Sequence, residues 1–91
     1  MGYGYTSDGF HLVRPADSGE GQMGSMKKAI AASKLSTDQI DMINTHATST
    51  PTGDEIEARS IKTLFGDHAS RPLITAMKGI IGHTFSAAGA I

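Results

Sequence analysis

Residues 40–53 have the sequence IDMINTHATSTPTG, and this stretch decides which class of fold the chain can adopt. Residues 40–44 form a short and mainly apolar run, which predicts a brief β-strand. The residues that follow are polar and include Pro51, so they predict a loop. A helix is then predicted over residues 53–65, because acidic side chains crowd its first turns, where the helix dipole favours anions, and Gly66 is a suitable stop. The predicted strand therefore leads through a polar loop into a helix.

A second helix is predicted before this strand, over residues 20–35. Apolar side chains recur there at helical spacing, while lysines fall on the opposite side. The predicted apolar face of this helix consists of Met23, Met26, Ala29 and Ile30. The corresponding face of the helix at residues 53–65 consists of Ala58, Ile61, Leu64 and Phe65.

The rest of the chain continues the alternation of helices and strands. Residues 72–77 predict a second short strand, residues 78–82 a glycine-bounded turn, and a small-residue helix is predicted to begin near His83. This order predicts an α/β layer with short parallel strands and crossover helices. Two strands cannot bury both faces of a sheet, so we expect the missing strands to come from elsewhere and the isolated chain to fold poorly.

Composition excludes several classes of function. Hydrophobic residues make up 38% of the 91 residues and charged residues 19%, which is typical of a globular rather than a disordered chain. The net charge is -1 with no basic stripe, which argues against a nucleic-acid partner, and no apolar run approaches the roughly 20 residues of a membrane span. The chain has no cysteine, so it has no disulfide and no thiol nucleophile of its own.

Two polar segments could carry chemistry, and each follows a predicted strand. The first is Asn44 to Pro51, which holds His46 among hydroxyl side chains. Ligands of open α/β sheets bind outside the carboxyl ends of the strands, where this segment would lie. Taken alone, a histidine in such a setting is more often a hydrogen-bonded loop residue than a catalytic one.

The second segment is KGIIGH at residues 78–83, in which Lys78 and His83 follow the second predicted strand. Glycines allow the backbone to turn tightly or to approach a ligand. A histidine that opens a helix faces unpaired amide donors, which favour the neutral imidazole over the imidazolium. A buried helix with a capping histidine is the competing structural interpretation.

Several other features have simpler interpretations. Residues 19–24 match the G-x-G-x-x-G dinucleotide fingerprint, with Asp41 near the position of its acidic partner, but no strand precedes them, so nucleotide binding is a distant alternative. The remaining histidines, His11 and His68, are predicted to be exposed, and their spacing does not suit a metal site. Asp8 is predicted to be a turn residue, and Asp54, Glu55 and Glu57 are predicted to form an acidic helix start.

Taken together, these motifs resemble the β-ketoacyl-acyl-carrier-protein synthases, the elongating condensing enzymes of the thiolase-like fold. The resemblance covers essentially the whole chain. The segments that carry it are residues 43–54, 78–83 and 87–90, with Gly2-Tyr3-Gly4, Ser7-Asp8 and residues 63–66 in support. It implies that residues 1–91 are a fragment of the C-terminal half of a synthase domain, and both chain ends agree, since each lies within an interrupted pattern.

The resemblance also implies a reaction and roles for individual residues. A cysteine outside this chain would accept an acyl group, and a malonyl thioester would lose carbon dioxide to give the enolate that attacks it. His46 and His83 would stabilise the developing negative charge as neutral hydrogen-bond donors, with Lys78 organising the site electrostatically. Thr48 and Thr50 would bind the phosphopantetheine arm of the acyl carrier protein. No cofactor or metal would be bound directly.

The same resemblance leaves alternatives open. A polyketide-type ketosynthase would use the same histidines, and a non-catalytic relic or interaction module could keep the fold without the activity. The full-length protein is expected to be a homodimer in the cytoplasm or the mitochondrial matrix; Ala47, in place of the glycine of many bacterial members, favours the mitochondrion.

This sequence departs from the family pattern near both catalytic motifs. Met77 and Ile81 replace threonines that are usual in the family, and Thr84-Phe85-Ser86 replaces Leu-Leu-Gly. The usual family sequence places a glutamate directly after the Ala-Gly-Ala stretch, as a partner for Lys78.

Overall fold

The structure is a computed structural model that describes residues 1–7, 9 and 16–87. The predictions for Asp8, His11 and the stretch after Ala87 lie outside the described residues. Five regular elements follow one another in the described chain: α1 (Glu20–Ser33), β1 (Met42–Asn44), α2 (Pro51–Phe65), β2 (Leu73–Thr75) and α3 (Lys78–Ile81). Single 3₁₀ turns occur at Thr37–Gln39, Gly66–His68 and Phe85–Ala87.

β1 and β2 pair in parallel, with Ile43 opposite Ile74. The ladder continues beyond the strands, because the Thr45 N–H donates to the Thr75 carbonyl at 2.9 Å and the Thr45 hydroxyl donates to the same oxygen at 2.7 Å. Parallel pairing brings the carboxyl ends of both strands to one edge. The segments that follow the two strands therefore start side by side.

α2 supplies the core of the described chain. Pro51 suits the start of this helix, because proline has no backbone N–H and the N–H groups of a first turn have no acceptor within the helix. Gly66 ends the helix at a φ of 54°. The buried side chains are Ile56, Ser60, Ile61 and Phe65. Ala58 is exposed, so its predicted place on the apolar face is wrong: it lies two residues from Ile56, about 200° around the helix.

The first glycine of the G-x-G-x-x-G match has a packing role. Gly19 is buried at the start of α1, has a φ of 69°, and a β-carbon there would lie 2.3 Å from the Ser60 hydroxyl oxygen of α2. Only a residue without a side chain allows this approach of α1 to α2. This close packing explains Gly19 without a nucleotide.

The structure corrects the prediction for the chain after β2. The predicted turn at residues 78–82 is the short helix α3, because the N–H groups of Ile80 and Ile81 both donate to the Met77 carbonyl. Gly82, at a φ of 75°, ends this helix. No α-helix begins at His83, which lies in an irregular stretch between α3 and the 3₁₀ turn Phe85–Ala87.

Apolar side chains of the sheet remain exposed. Met42, Leu73 and Ile74 are 58%, 64% and 47% exposed, as expected for strands that lack a covering layer within the described residues. The apolar face predicted for α1 is half-buried along its length. In the described part of the chain, every helix is too short or too polar to cross a membrane.

Candidate active site

The two histidines that follow the strands lie side by side. His46 comes two residues after β1, and His83 comes after α3, which itself begins three residues after β2. Their ring centroids are 5.5 Å apart and the ring planes are nearly perpendicular, at 88°. Both side chains are exposed. Two imidazoles that are 37 residues apart in sequence are thus brought into edge-to-face contact.

A carboxylate from α2 fixes the backbone around the first histidine. Glu57 Oε1 accepts the His46 N–H at 2.7 Å, and Glu57 Oε2 accepts the Ala47 N–H at 2.8 Å. Hydrogen bonds to a charged acceptor are stronger than neutral ones, and two of them from one carboxylate also fix an orientation. Ala47 has a φ of 33°, so this clamp holds a backbone bend that a non-glycine residue rarely adopts.

This role of Glu57 cannot be predicted from the sequence, in which Asp54, Glu55 and Glu57 together indicate only an acidic helix start. Asp54 does lie in the first turn and Glu55 is exposed, but Glu57 is half-buried and bonded. The one signal in the sequence is that Glu57 falls in the second turn of α2, and the start of this helix directly follows the loop that carries His46.

The second histidine is held by its own neighbour. The Phe85 N–H donates to His83 Nδ1 at 3.1 Å. A ring nitrogen that accepts a hydrogen bond carries no proton, so this contact assigns the neutral tautomer with the proton on Nε2. The Phe85 ring also stacks on the imidazole, with centroids 5.0 Å apart and planes at 27°.

Lys78 and His46 line the same cavity. It has a volume of about 500 Å³, within the range of small-molecule sites, and lies against α1, α2 and the carboxyl end of β1. Apolar parts of its wall come from Met26, Ile43, Ile61 and Phe85. Lys78 is half-buried and forms no ion pair with a described residue. His83 is not among the described lining residues and reaches this site through its contacts with His46 and Phe85.

The two threonines proposed for carrier recognition lie next to each other on the loop between β1 and α2. Their hydroxyl oxygens are 3.4 Å apart, Thr48 half-buried and Thr50 exposed. Thr50 precedes the first residue of α2, but its side chain makes no capping hydrogen bond. Neither threonine is among the described residues that line the 500 Å³ cavity, so both lie on the loop that carries His46 but outside the cavity wall.

The described residues do not form a metal centre. No group of three or more histidine, aspartate or glutamate side chains within residues 1–7, 9 and 16–87 could hold a metal ion together. His68 is exposed and lies in a 3₁₀ turn, as its loop prediction requires.

A match to a known protein family shows to which family this chain belongs. The family described as "Beta-ketoacyl synthase, C-terminal domain" matches residues 1–91. The chain belongs to the β-ketoacyl synthase family. The relationship predicted from the histidine and lysine motifs is thereby confirmed.

Curated relatives of this synthase segment are 3-oxoacyl-acyl-carrier-protein synthases. The mitochondrial enzyme of Arabidopsis thaliana is 45% identical over 99% of this chain, and synthase 1 of Haemophilus influenzae is 48% identical over 99% of it. The chain spans about a fifth of the length of these relatives, 20% in both cases. Relatives of this synthase segment therefore include a mitochondrial and a bacterial enzyme.

A solved structure shares the fold of this synthase segment. It is a type II polyketide acyl-carrier protein in complex with its ketosynthase, with a TM-score of 0.88, 25% sequence identity, and a match to 96% of this chain and 21% of that one. The prediction of a thiolase-like α/β layer with short parallel strands is confirmed by this match and by the pairing of β1 with β2.

Proposed function

We propose that the chain is a segment from the C-terminal half of a β-ketoacyl-acyl-carrier-protein synthase and supplies three groups of its condensation site. The observation that carries the proposal is the contact of His46 with His83 beside a cavity that Lys78 also lines. The enzyme would join a malonyl-carrier protein to an enzyme-bound acyl chain with loss of carbon dioxide, in fatty-acid biosynthesis. It is an acyltransferase in this assignment.

The two imidazoles suit the charge that develops in this reaction. When the malonyl thioester loses carbon dioxide, the electrons of the breaking carbon–carbon bond move onto the thioester oxygen. Two neutral donors aimed at that oxygen would stabilise the enolate without themselves losing a proton. The bond from the Phe85 N–H to His83 Nδ1 leaves the Nε2 proton of His83 free for this purpose.

Lys78 would act through charge rather than by proton transfer. Its ammonium group, which lines the same cavity as His46, would raise the positive potential around the developing enolate. The enolate carbon then attacks the acyl thioester on the enzyme's cysteine, and the thiolate leaves as the new carbon–carbon bond forms.

The chain alone would be inactive. It has no cysteine, so the nucleophile that carries the acyl group would come from another part of the synthase. This division of the site also fits the exposed apolar side chains of β1 and β2, which a neighbouring layer of a complete, homodimeric synthase would cover.

The acyl carrier protein would be the partner that delivers both thioesters. Thr48 and Thr50 would hydrogen-bond its phosphopantetheine arm, since their hydroxyls are adjacent and lie on the loop that carries His46. No cofactor would be held by the synthase itself. Relatives in bacteria and in a mitochondrion support a cytoplasmic or matrix enzyme, and Ala47 favours the matrix.

Alanine substitution of each histidine in the full-length synthase tests this proposal. Loss of one oxyanion donor costs on the order of a hundredfold to a thousandfold in rate, so His46→Ala and His83→Ala should slow malonyl decarboxylation to that extent. Acyl transfer to the cysteine should continue, because that step does not form the enolate. His68→Ala is the matched control, since His68 is exposed and lies outside the site. Unchanged decarboxylation in both alanine variants would overturn the proposal.

A polyketide-type ketosynthase is the second candidate. The observation that favours it is the likeness of the chain to a ketosynthase from a type II polyketide system. The two enzymes differ in what happens after condensation, so the length and oxidation state of the carrier-bound product distinguish them. A non-catalytic member of the fold would fail to form an acyl-cysteine at all.

A further inference from the structure

We propose that Phe85 is a positioning residue for His83 and that its aromatic ring tunes malonyl decarboxylation. This inference rests on the proposed function and deepens it. Phe85 contacts the imidazole twice, through the ring stack and through its backbone N–H. Its side chain also lines the cavity shared by His46 and Lys78.

The two contacts constrain different degrees of freedom of the imidazole. The hydrogen bond to Nδ1 determines which nitrogen is turned away from Phe85, and therefore where the Nε2 proton points. The stacked ring restricts the plane of the imidazole, because nearly parallel rings lose contact when one of them rotates. Together they fix both the flip state and the plane of His83.

Burial among the described residues does not explain the conformation of Phe85. The residue is 82% exposed there, so it gains little from removal of apolar surface against them. Its backbone φ is 53°, a left-handed value that is unfavourable for a bulky residue. A strained conformation of this kind persists where the surrounding contacts require it, and the ring stack and the hydrogen bond with His83 are such contacts among the described residues.

The inference depends on the aromatic side chain, since any residue except proline could donate the backbone hydrogen bond to Nδ1 of His83. Leucine would keep the N–H donor to Nδ1 and would lack the stacked ring. Phe85→Leu therefore removes the constraint on the imidazole plane and leaves the constraint on its flip state.

The experiment compares Phe85→Leu with the unsubstituted full-length synthase in two half-reactions. An aromatic pair contributes enough that kcat for malonyl decarboxylation should fall about threefold to tenfold. The KM for the malonyl thioester should change by less than about twofold, because a misaligned donor weakens the transition state rather than ground-state binding. Acyl transfer to the cysteine should not change. Phe85→Tyr, which keeps the stacked ring, should restore the decarboxylation rate.

Two controls separate the possible failures. Tyr5→Leu removes another exposed aromatic ring, 78% exposed and outside the described cavity wall, and should leave both half-reactions unchanged. His83→Ala, measured in parallel, tests the proposed function itself. If His83→Ala slows decarboxylation and Phe85→Leu does not, the inference about Phe85 is wrong and the proposed function stands. Equal loss of both half-reactions in Phe85→Leu would show a general structural defect and would also contradict the inference.

Discussion

The two histidines of the site are held in different ways. The His46 loop is tied to other elements: Glu57 of α2 binds its backbone, and Thr45 is bonded to the end of β2. The segment that carries His83 follows a four-residue helix and is held by a contact between residues two apart in sequence, His83 and Phe85.

Because of this difference, the two histidines should respond to substitutions at different places in the chain. Long-range hydrogen bonds make the position of His46 depend on α2 and on the sheet, so substitutions in those elements should displace its ring. Local bonds make the orientation of His83 depend on the type of one neighbouring side chain. A change in the Glu57 clamp should accordingly have a larger effect than a change to a single contact at the edge of the site.

Removing the charge of Glu57 should disturb the position of His46. In Glu57→Gln, one of the two acceptors becomes an amide N–H₂ that cannot accept the backbone N–H, and the remaining bond loses its charge assistance. Because small displacements of a catalytic group are costly, malonyl decarboxylation by the full-length synthase should fall on the order of tenfold to a hundredfold. The free energy of unfolding should fall by about 1–3 kcal/mol.

Glu55→Gln is the matched control for this change. Glu55 has the same charge, lies in the same helix and is exposed, so both the rate and the stability should stay near their original values. Equal effects of the two substitutions would mean that net charge of α2, rather than the clamp, is responsible. A normal rate in Glu57→Gln would contradict the account of how His46 is positioned.

A smaller effect is expected where the carrier arm is proposed to bind. Thr50→Val removes the hydroxyl and keeps the shape, and no helix cap is lost because the Thr50 side chain makes no capping bond. Loss of one neutral hydrogen bond should raise the KM for malonyl-carrier protein about threefold to tenfold, with little change in kcat. Thr52→Val, in the first turn of α2 and also exposed, is the control. A KM that is the same in both variants would remove Thr50 from the carrier site.

Much of the fold could be predicted from local patterns. The helix at residues 20–35 and the helix at residues 53–65 appear with bounds Glu20–Ser33 and Pro51–Phe65, since apolar spacing, acidic first turns and Gly66 are all local signals. The strands are shorter than predicted, because pairing between β1 and β2 extends over only three residues on each strand. The predicted order of these elements is confirmed.

The segment after β2 could not be predicted in the same way. The prediction treated glycine as a sign of a turn at residues 78–82, whereas Gly79 lies inside α3 and Gly82 ends it. A single helical turn leaves no periodic pattern in the sequence, so only the hydrogen bonds to the Met77 carbonyl reveal it.

The site was predicted in part for a related reason. Strand ends and family motifs mark His46, Lys78 and His83 as candidate site residues. The contacts that orient the two histidines could not be predicted. Glu57 is 11 residues away from His46 in sequence, and the contacts of Phe85 with His83 occur at a positive φ that no sequence pattern predicts. Both depend on backbone geometry that forms only when the elements pack.

In the proposed mechanism, His46 and His83 donate hydrogen bonds to one thioester oxygen. The most direct measurement is a crystal structure of the full-length synthase with a malonyl thioester analogue that cannot lose carbon dioxide. We predict that Nε2 of both rings lies about 2.7–3.1 Å from the thioester oxygen. A structure in which only one ring approaches that oxygen, or in which either ring binds the malonyl carboxylate instead, would contradict the account.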